Sequence, residues 1–208
     1  LQSRNAGVVF LPERLVRRII KEHRQIGGVG FQVPHSHAYS LPAWALKKIA
    51  SAEELGDLPS DEHLLVLPHV ESVDDDEAAL VAVWRAAFHA AIHRTLEARV
   101  MAGELTPAAV RARVHALGQT EFDEIRYVLK QDDLLLPPHD DTETYLEFAA
   151  TYLEQKYFAP DLLVRTFPGV RDQQVTVDQT LARDVDPEAL LEACRPSGAP
   201  STSELWAR

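Results

Sequence analysis

Residues 74–101 read DDDEAALVAVWRAAFHAAIHRTLEARVM, and this stretch decides the fold class. Asp74, Asp75, Asp76 and Glu77 put negative charge where a helix dipole is positive. Leu80, Val81, Trp84, Phe88, Ala91, Ile92 and Leu96 then recur at helical spacing to make one broad apolar face. Gly103 stops the pattern. A helix this long and this apolar needs other helices to cover it, so the spacing predicts a helical bundle with this element in its middle.

Further helix signals follow it. Thr106 caps a second helix with Pro107 at its first position and Gly118 just past its end. Thr120 with Asp123 resembles a capping box for a third, Glu121 to Gln131. After Leu134-Leu135-Leu136-Pro137-Pro138, a fourth starts at Asp141 or Thr142 and reaches Phe158, with Tyr145, Phe148, Ala149 and Tyr152 on one stripe. The short connections favour antiparallel neighbours. The expected fold is therefore mainly α, an antiparallel bundle of about four central helices.

Upstream, Leu15, Val16, Ile19 and Ile20 alternate with Arg14, Arg17, Arg18, Lys21 and Arg24, the pattern of a basic amphipathic helix. Gly27, Gly28 and Gly30 lack a Walker lysine and a GxGxxG order, so they read as a turn. Ser40, as N-cap, with Pro42 in the first turn predicts a short helix over Ala43 to Ala50. The apolar run Leu64-Leu65-Val66-Leu67 suits a buried strand pairing with Phe31 to Val33, so at most a small two-stranded β element is expected in the N-terminal third. Beyond Pro160, Val175 to Val177 suits a short strand and Asp186-Pro187 a brief helix. The expected organisation is 1–72 as an N-terminal subregion, 73–160 as the bundle core, 161–195 as an extension on the same domain, and 196–208 as a flexible tail rich in Pro, Ser, Gly and Thr.

Composition narrows the function classes. The chain has 208 residues, 46% hydrophobic and 25% charged, which is ordinary globular usage. A net charge of −11 opposes general affinity for nucleic acid or anionic membrane. No apolar run approaches the ~20 residues of a membrane span, and no signal-peptide pattern opens the chain, so a cytoplasmic protein is expected. Leu1 stands where an initiator Met would, which suits a fragment of a larger protein. Cys194 is the single cysteine; it allows no internal disulfide and no multi-thiolate zinc site, and a reducing compartment fits.

Chemistry is suggested in one place. Arg85, His89 and His93 succeed one another at i, i+4 and i+8 along the flank of the apolar face. Two histidines so spaced can hold one divalent metal, such as zinc, but the glutamate of a zincin helix is missing because Ala90 follows His89. Glu121 is the expected carboxylate to complete the set, with Arg85 positioned to hold an anionic substrate. In the competing arrangement Arg85 pairs with Glu121 or Glu124 and the histidines are satisfied at a helix interface. Glu143, Glu147 and Glu154 fall opposite the aromatic stripe and read as solvated. His35 and His37 have strand spacing for a shared metal. They resemble the HxH of cupins, but Val29 and Leu41-Pro42 replace the glycine and glutamate of that pattern.

Two functions follow. The first is a non-enzymatic helical interaction or scaffold domain without a cofactor, its basic residues Arg14, Arg17, Arg18 and Lys21 contacting another protein or another domain of the parent chain. The alternative is a metal-binding protein or metal-dependent hydrolase built on His89, His93, Glu121 and Arg85.

Overall fold

The computed structural model describes residues 8–23, 39–58, 63–68, 76–132, 134–135 and 139–206. It is mainly helical, with a small mixed three-stranded sheet near the N-terminus. No helix among the described residues is long and apolar enough to cross a membrane. The chain forms two compact units, Leu1–Ala90 with Cys194–Pro200, and Ala91–Ala193 with Ser201–Arg208.

The first unit is organised by its sheet. Strand β1 (Val8–Leu11) is followed by helix α1 (Glu13–His23), strand β2 (Tyr39–Pro42), helices α2 (Ala43–Ile49) and α3 (Ala52–Leu55), and strand β3 (His63–Pro68). The order is β1-β3-β2, with β1 parallel to β3 and β2 antiparallel to it. Leu64, Leu65, Val66 and Leu67 are all buried, as a central strand covered on both faces requires. Alternate residues of a strand point to opposite faces. Leu65 and Leu67 accordingly pack with Val8 and Phe10 of β1 and with Val83, Ala87 and Ala90 of helix α4 (Asp76–Met101). Helix α1 lies against β3 and buries Leu15, Val16, Ile19 and Ile20, the apolar set its spacing predicts.

The sheet has one strand more than the two expected. Val8-Val9-Phe10-Leu11 is as apolar as the run it pairs with, but at four residues its identity as a strand depends on that partner. Ser40, expected to cap a helix, lies inside β2 in register with Leu65. The cap position of α2 belongs to Pro42, with no side-chain hydrogen bond. Phe31 to Val33, the expected partner of Leu64 to Leu67, and the His35/His37 pair lie outside the described residues.

The second unit is built around α7 (Asp141–Phe158), which contacts α5 (Pro107–Leu117), α6 (Gln119–Gln131), α8 (Pro160–Thr166) and α11 (Thr202–Trp206). Neighbours on so many sides leave α7 little solvated surface: Thr144, Tyr145, Leu146, Phe148, Ala149, Ala150, Thr151, Tyr152 and Leu153 are all buried. A 3-10 turn (Pro168–Gln173), α9 (Gln174–Leu181) and α10 (Pro187–Ala193) complete the unit.

Several ends form as their residues dictate. The Thr106 hydroxyl accepts from the Ala109 N–H at 3.2 Å, and Asp140 accepts from the Glu143 N–H at 2.9 Å. Gly118 closes α5 and opens α6 at φ +99°, a backbone that suits glycine. The capping box expected at Thr120 is absent, because α6 begins two residues earlier with Gly118 as its cap. Val175 to Val177, expected as a strand, lie within α9, where Val177 is buried and the Thr180 hydroxyl donates to the Thr176 carbonyl at 2.7 Å. Within the stretch expected as a tail, Ala199 is buried and Thr202–Trp206 is helical.

Candidate metal-binding cluster

His93 and Glu147 form the centre of the most chemically suggestive group. His93 Nε2 of α4 and Glu147 Oε2 of α7 are 3.1 Å apart, with the two side chains 21% and 12% exposed. The other carboxylate oxygen, Glu147 Oε1, accepts from the Thr151 hydroxyl at 3.1 Å. That bond, from one turn further along the same helix, orients the carboxylate so that Oε2 is the oxygen turned to His93. His89 precedes His93 by one turn on the unbroken helix α4. One ligand atom from each of His89, His93 and Glu147 lies within 4.8 Å of the others, and all three residues are half-buried.

Two imidazoles and one carboxylate are donor types that a zinc ion accepts. Metal–nitrogen and metal–oxygen bonds of about 2.0–2.2 Å place the ligand atoms of a tetrahedral site roughly 3.3 Å apart. The His93–Glu147 separation of 3.1 Å is close to that value.

Charge shapes the same group. Burial favours the neutral form of His93, but the hydrogen bond to Glu147 and the charges of Glu147, Glu97 and Glu143 outweigh it and raise the imidazole pKa above its ordinary value. A divalent cation would have to compete with a proton for this nitrogen.

Glu121 is not in this group. It sits in the first turn of α6 with its carboxylate lying over Gly118, and with Glu124 it lines a shallow crevice floored by Ile125, Val128, Phe167 and Val170. Neither Glu121 nor Glu124 takes part in an ion pair among the described residues. Arg85 is half-buried two turns before His93. Glu147, read from sequence as solvated, is the carboxylate beside His93, because α7 is enclosed on the side where a surface helix would meet water.

The basic residues of α1 divide in two. Arg17 pairs with Glu13 at 2.6 Å, and Arg18 donates to both oxygens of Glu54, at 3.0 and 2.8 Å, and to the Ile49 carbonyl at 3.3 Å. Glu54, held by this bond and by Ser51, has its carboxyl lowered to about 2. Arg14 and Lys21 are exposed, and no ion pair holds either among the described residues. On α2, Trp44 is 61% exposed with the Lys48 ammonium 4.8 Å from its ring centre.

A second polar cluster has the marks of structure rather than chemistry. The buried carboxylate of Asp184 accepts from Arg113 at 2.8 and 2.9 Å and from the Tyr145 hydroxyl at 2.7 Å. Burial opposes its ionisation, but these donors outweigh it and hold its pKa below the usual value. Both carboxylate oxygens thus accept hydrogen bonds, Oδ2 from two donors and Oδ1 from one. Cys194 is half-buried, with its thiol 3.7 Å from the Ala87 carbonyl.

No protein family matches the chain, and neither the curated proteins nor the solved structures yield a match.

Proposed function

We propose that this chain is a helical metal-binding protein that holds one divalent transition metal through His89, His93 and Glu147. The observation that carries the reading is the convergence of two imidazoles and one carboxylate within 4.8 Å, with His93 and Glu147 already at ligand-to-ligand spacing. The Thr151 bond to Glu147 supplies the outer support that metal-ligating carboxylates usually have. Three protein ligands leave a fourth position for water, whose proton a metal ion makes easier to lose, so hydrolysis is the reaction class this set would serve. In an antiparallel bundle, the Ala91–Met101 stretch of α4 would run against α7 with Glu97 beside Glu143.

The test is zinc and cobalt(II) titration of metal-free protein by calorimetry and visible absorption. One equivalent should bind, with a cobalt spectrum of tetrahedral nitrogen–oxygen ligation. His93→Ala and Glu147→Gln should each weaken binding by about a hundredfold or more, since outer-shell losses alone cost ten- to a hundredfold. Absence of stoichiometric binding, or binding indifferent to both substitutions, would remove the reading.

The interaction-domain reading draws on a different observation: Trp44, Lys48, Arg14 and Lys21 are exposed on the first unit. Its reach is smaller than the sequence suggested, because Arg17 and Arg18 are engaged by Glu13 and Glu54. Charge reversal at Arg14 and Lys21 should abolish capture of an acidic partner if that surface is used.

A further inference from the structure

Glu147 offers two oxygens, and a different group sits at each. Oε2 lies 3.1 Å from His93 Nε2, and Oε1 accepts from the Thr151 hydroxyl at 3.1 Å. The Thr151 bond is not the one its helix would supply by default. A helical threonine commonly donates to the backbone carbonyl four residues before it, as Thr95 does to Ala91, Thr144 to Asp140, Thr166 to Leu162 and Thr180 to Thr176. Thr151 has the Glu147 carbonyl at the same offset, yet its hydroxyl turns to the Glu147 carboxylate. A hydrogen bond to a charged acceptor is about twice as strong as one to a neutral acceptor, which favours that choice. Thr151 is buried, so water competes little for the bond.

Resting on the metal reading above, we propose that Thr151 is a positioning residue that sets metal specificity: its hydroxyl holds Glu147 Oε1 back, so that the carboxylate meets the ion through Oε2 alone. A carboxylate can give a metal one oxygen or two. Cations that prefer oxygen and high coordination numbers, such as manganese, gain from the second. A tetrahedral site filled by two imidazoles, one carboxylate and a water has room for only one. The hydroxyl proton and a metal ion both direct positive charge at the lone pairs of Oε1, so the presence of the first opposes the approach of the second. Thr151 touches no metal in this arrangement and acts through Glu147. It favours a four-coordinate zinc-like ion over a six-coordinate one, and it keeps the fourth position for the water that hydrolysis needs.

The experiment titrates metal-free wild type, Thr151→Val and Thr151→Ser with zinc, manganese(II) and cobalt(II). Valine keeps the branched shape and removes the hydroxyl, whereas serine keeps the hydroxyl. Thr151→Val should lose about ten- to a hundredfold in zinc affinity, the usual effect of removing an outer partner. Its manganese affinity should hold or rise, so the zinc-to-manganese preference falls by about tenfold or more. Its cobalt complex should exchange the intense visible bands of four-coordination for the weak bands of a higher coordination number. Thr151→Ser should follow wild type in all three metals. Equal losses of zinc and manganese with the cobalt bands unchanged would overturn the specificity role and leave the metal reading intact, because a general loosening of the helix does not change the number of ligands. An unaltered preference and spectrum in Thr151→Val would overturn it as well. Failure of wild type to bind zinc at all would overturn both. Far-ultraviolet circular dichroism shows whether each variant keeps its helices, and Thr151→Ala, which lacks the hydroxyl without adding a methyl, should repeat the result of valine.

Discussion

Replacing Asp184 with alanine should destabilise the second unit by about 3–5 kcal/mol, the cost of breaking a buried ion pair by removing one partner. Asp184 lies just beyond α9, and its side chain is only 1% exposed. It joins α5 through Arg113 and α7 through Tyr145. Removal strands a guanidinium that is 17% exposed and so recovers little water, and it leaves the Tyr145 hydroxyl without its acceptor. Arg99, at 4.0 Å from the carboxylate and 35% exposed, adds little to the loss. The assay is urea unfolding followed by far-ultraviolet circular dichroism. The double variant Asp184→Ala/Arg113→Met should be more stable than Asp184→Ala, because it removes the stranded charge. The sign of the pH dependence is fixed as well. A carboxyl held below its ordinary value of 3.8 contributes stability that is present above that value and is lost as pH falls through the lower folded one. The acid limb of the stability profile should therefore shallow in Asp184→Ala. A loss below about 1 kcal/mol, the size of one ordinary net hydrogen bond, or no coupling between positions 113 and 184, would refute the reasoning.

Four further outcomes are expected. The His93–Glu147 pair contributes stability below the ordinary imidazole value of 6.5 that is lost as pH rises through the raised folded value, so the gap between wild type and Glu147→Gln should widen on acidification; a gap flat in pH would contradict the pairing. Zinc affinity should rise with pH by about tenfold per unit until His93 has lost its proton, as calorimetry at several pH values would show, and a pH-independent affinity would exclude this imidazole as a ligand. Ultraviolet titration should find Tyr145, Tyr152 and Tyr157 resisting ionisation in the folded chain, Tyr157 pushed up to about 12, with normal behaviour restored in denaturant; all five tyrosines titrating alike would argue against their burial. Gly118→Ala should cost roughly 1–3 kcal/mol in denaturant unfolding, since the backbone is at φ +99° and the new methyl would meet the Glu121 carboxylate, and a neutral result would place Gly118 in an ordinary conformation.

What the sequence disclosed was local chemistry, and what it concealed was partnership. Thr106, Pro107 and Gly118 bound α5 because a hydroxyl, a ring and a missing Cβ act on backbone within four residues of themselves. Ser40 carried the same kind of local signal, yet its backbone pairs with Leu65, twenty-five positions away, and the sheet prevailed. The four residues of β1 became a strand for the same reason. Val175 to Val177 went the other way, because a short β-branched run finds no strand to join among the described residues of the second unit, and burial of Val177 within α9 decides its conformation.

The candidate site divides along the same line. His89 and His93 were visible as a pair because one helix fixes them, whereas Glu147 belongs to another helix and sat among carboxylates that looked solvated. The aromatic stripe of α7 puts Glu143, Glu147 and Glu154 on the opposite face, and of these Glu143 is exposed while Glu147 is half-buried. Thr144, Thr151 and Gln155, all buried, extend the apolar set of Tyr145, Leu146, Phe148, Ala149, Ala150, Tyr152 and Leu153 round to the flank of Glu147, so α7 is enclosed beyond its apolar face. A carboxylate on an enclosed helix must be hydrogen-bonded or matched by positive charge, because burying it bare is too costly. Thr151 satisfies one oxygen of Glu147. The other is left to His93, and it is the atom that makes the histidine pair a candidate for a cation heavier than a proton.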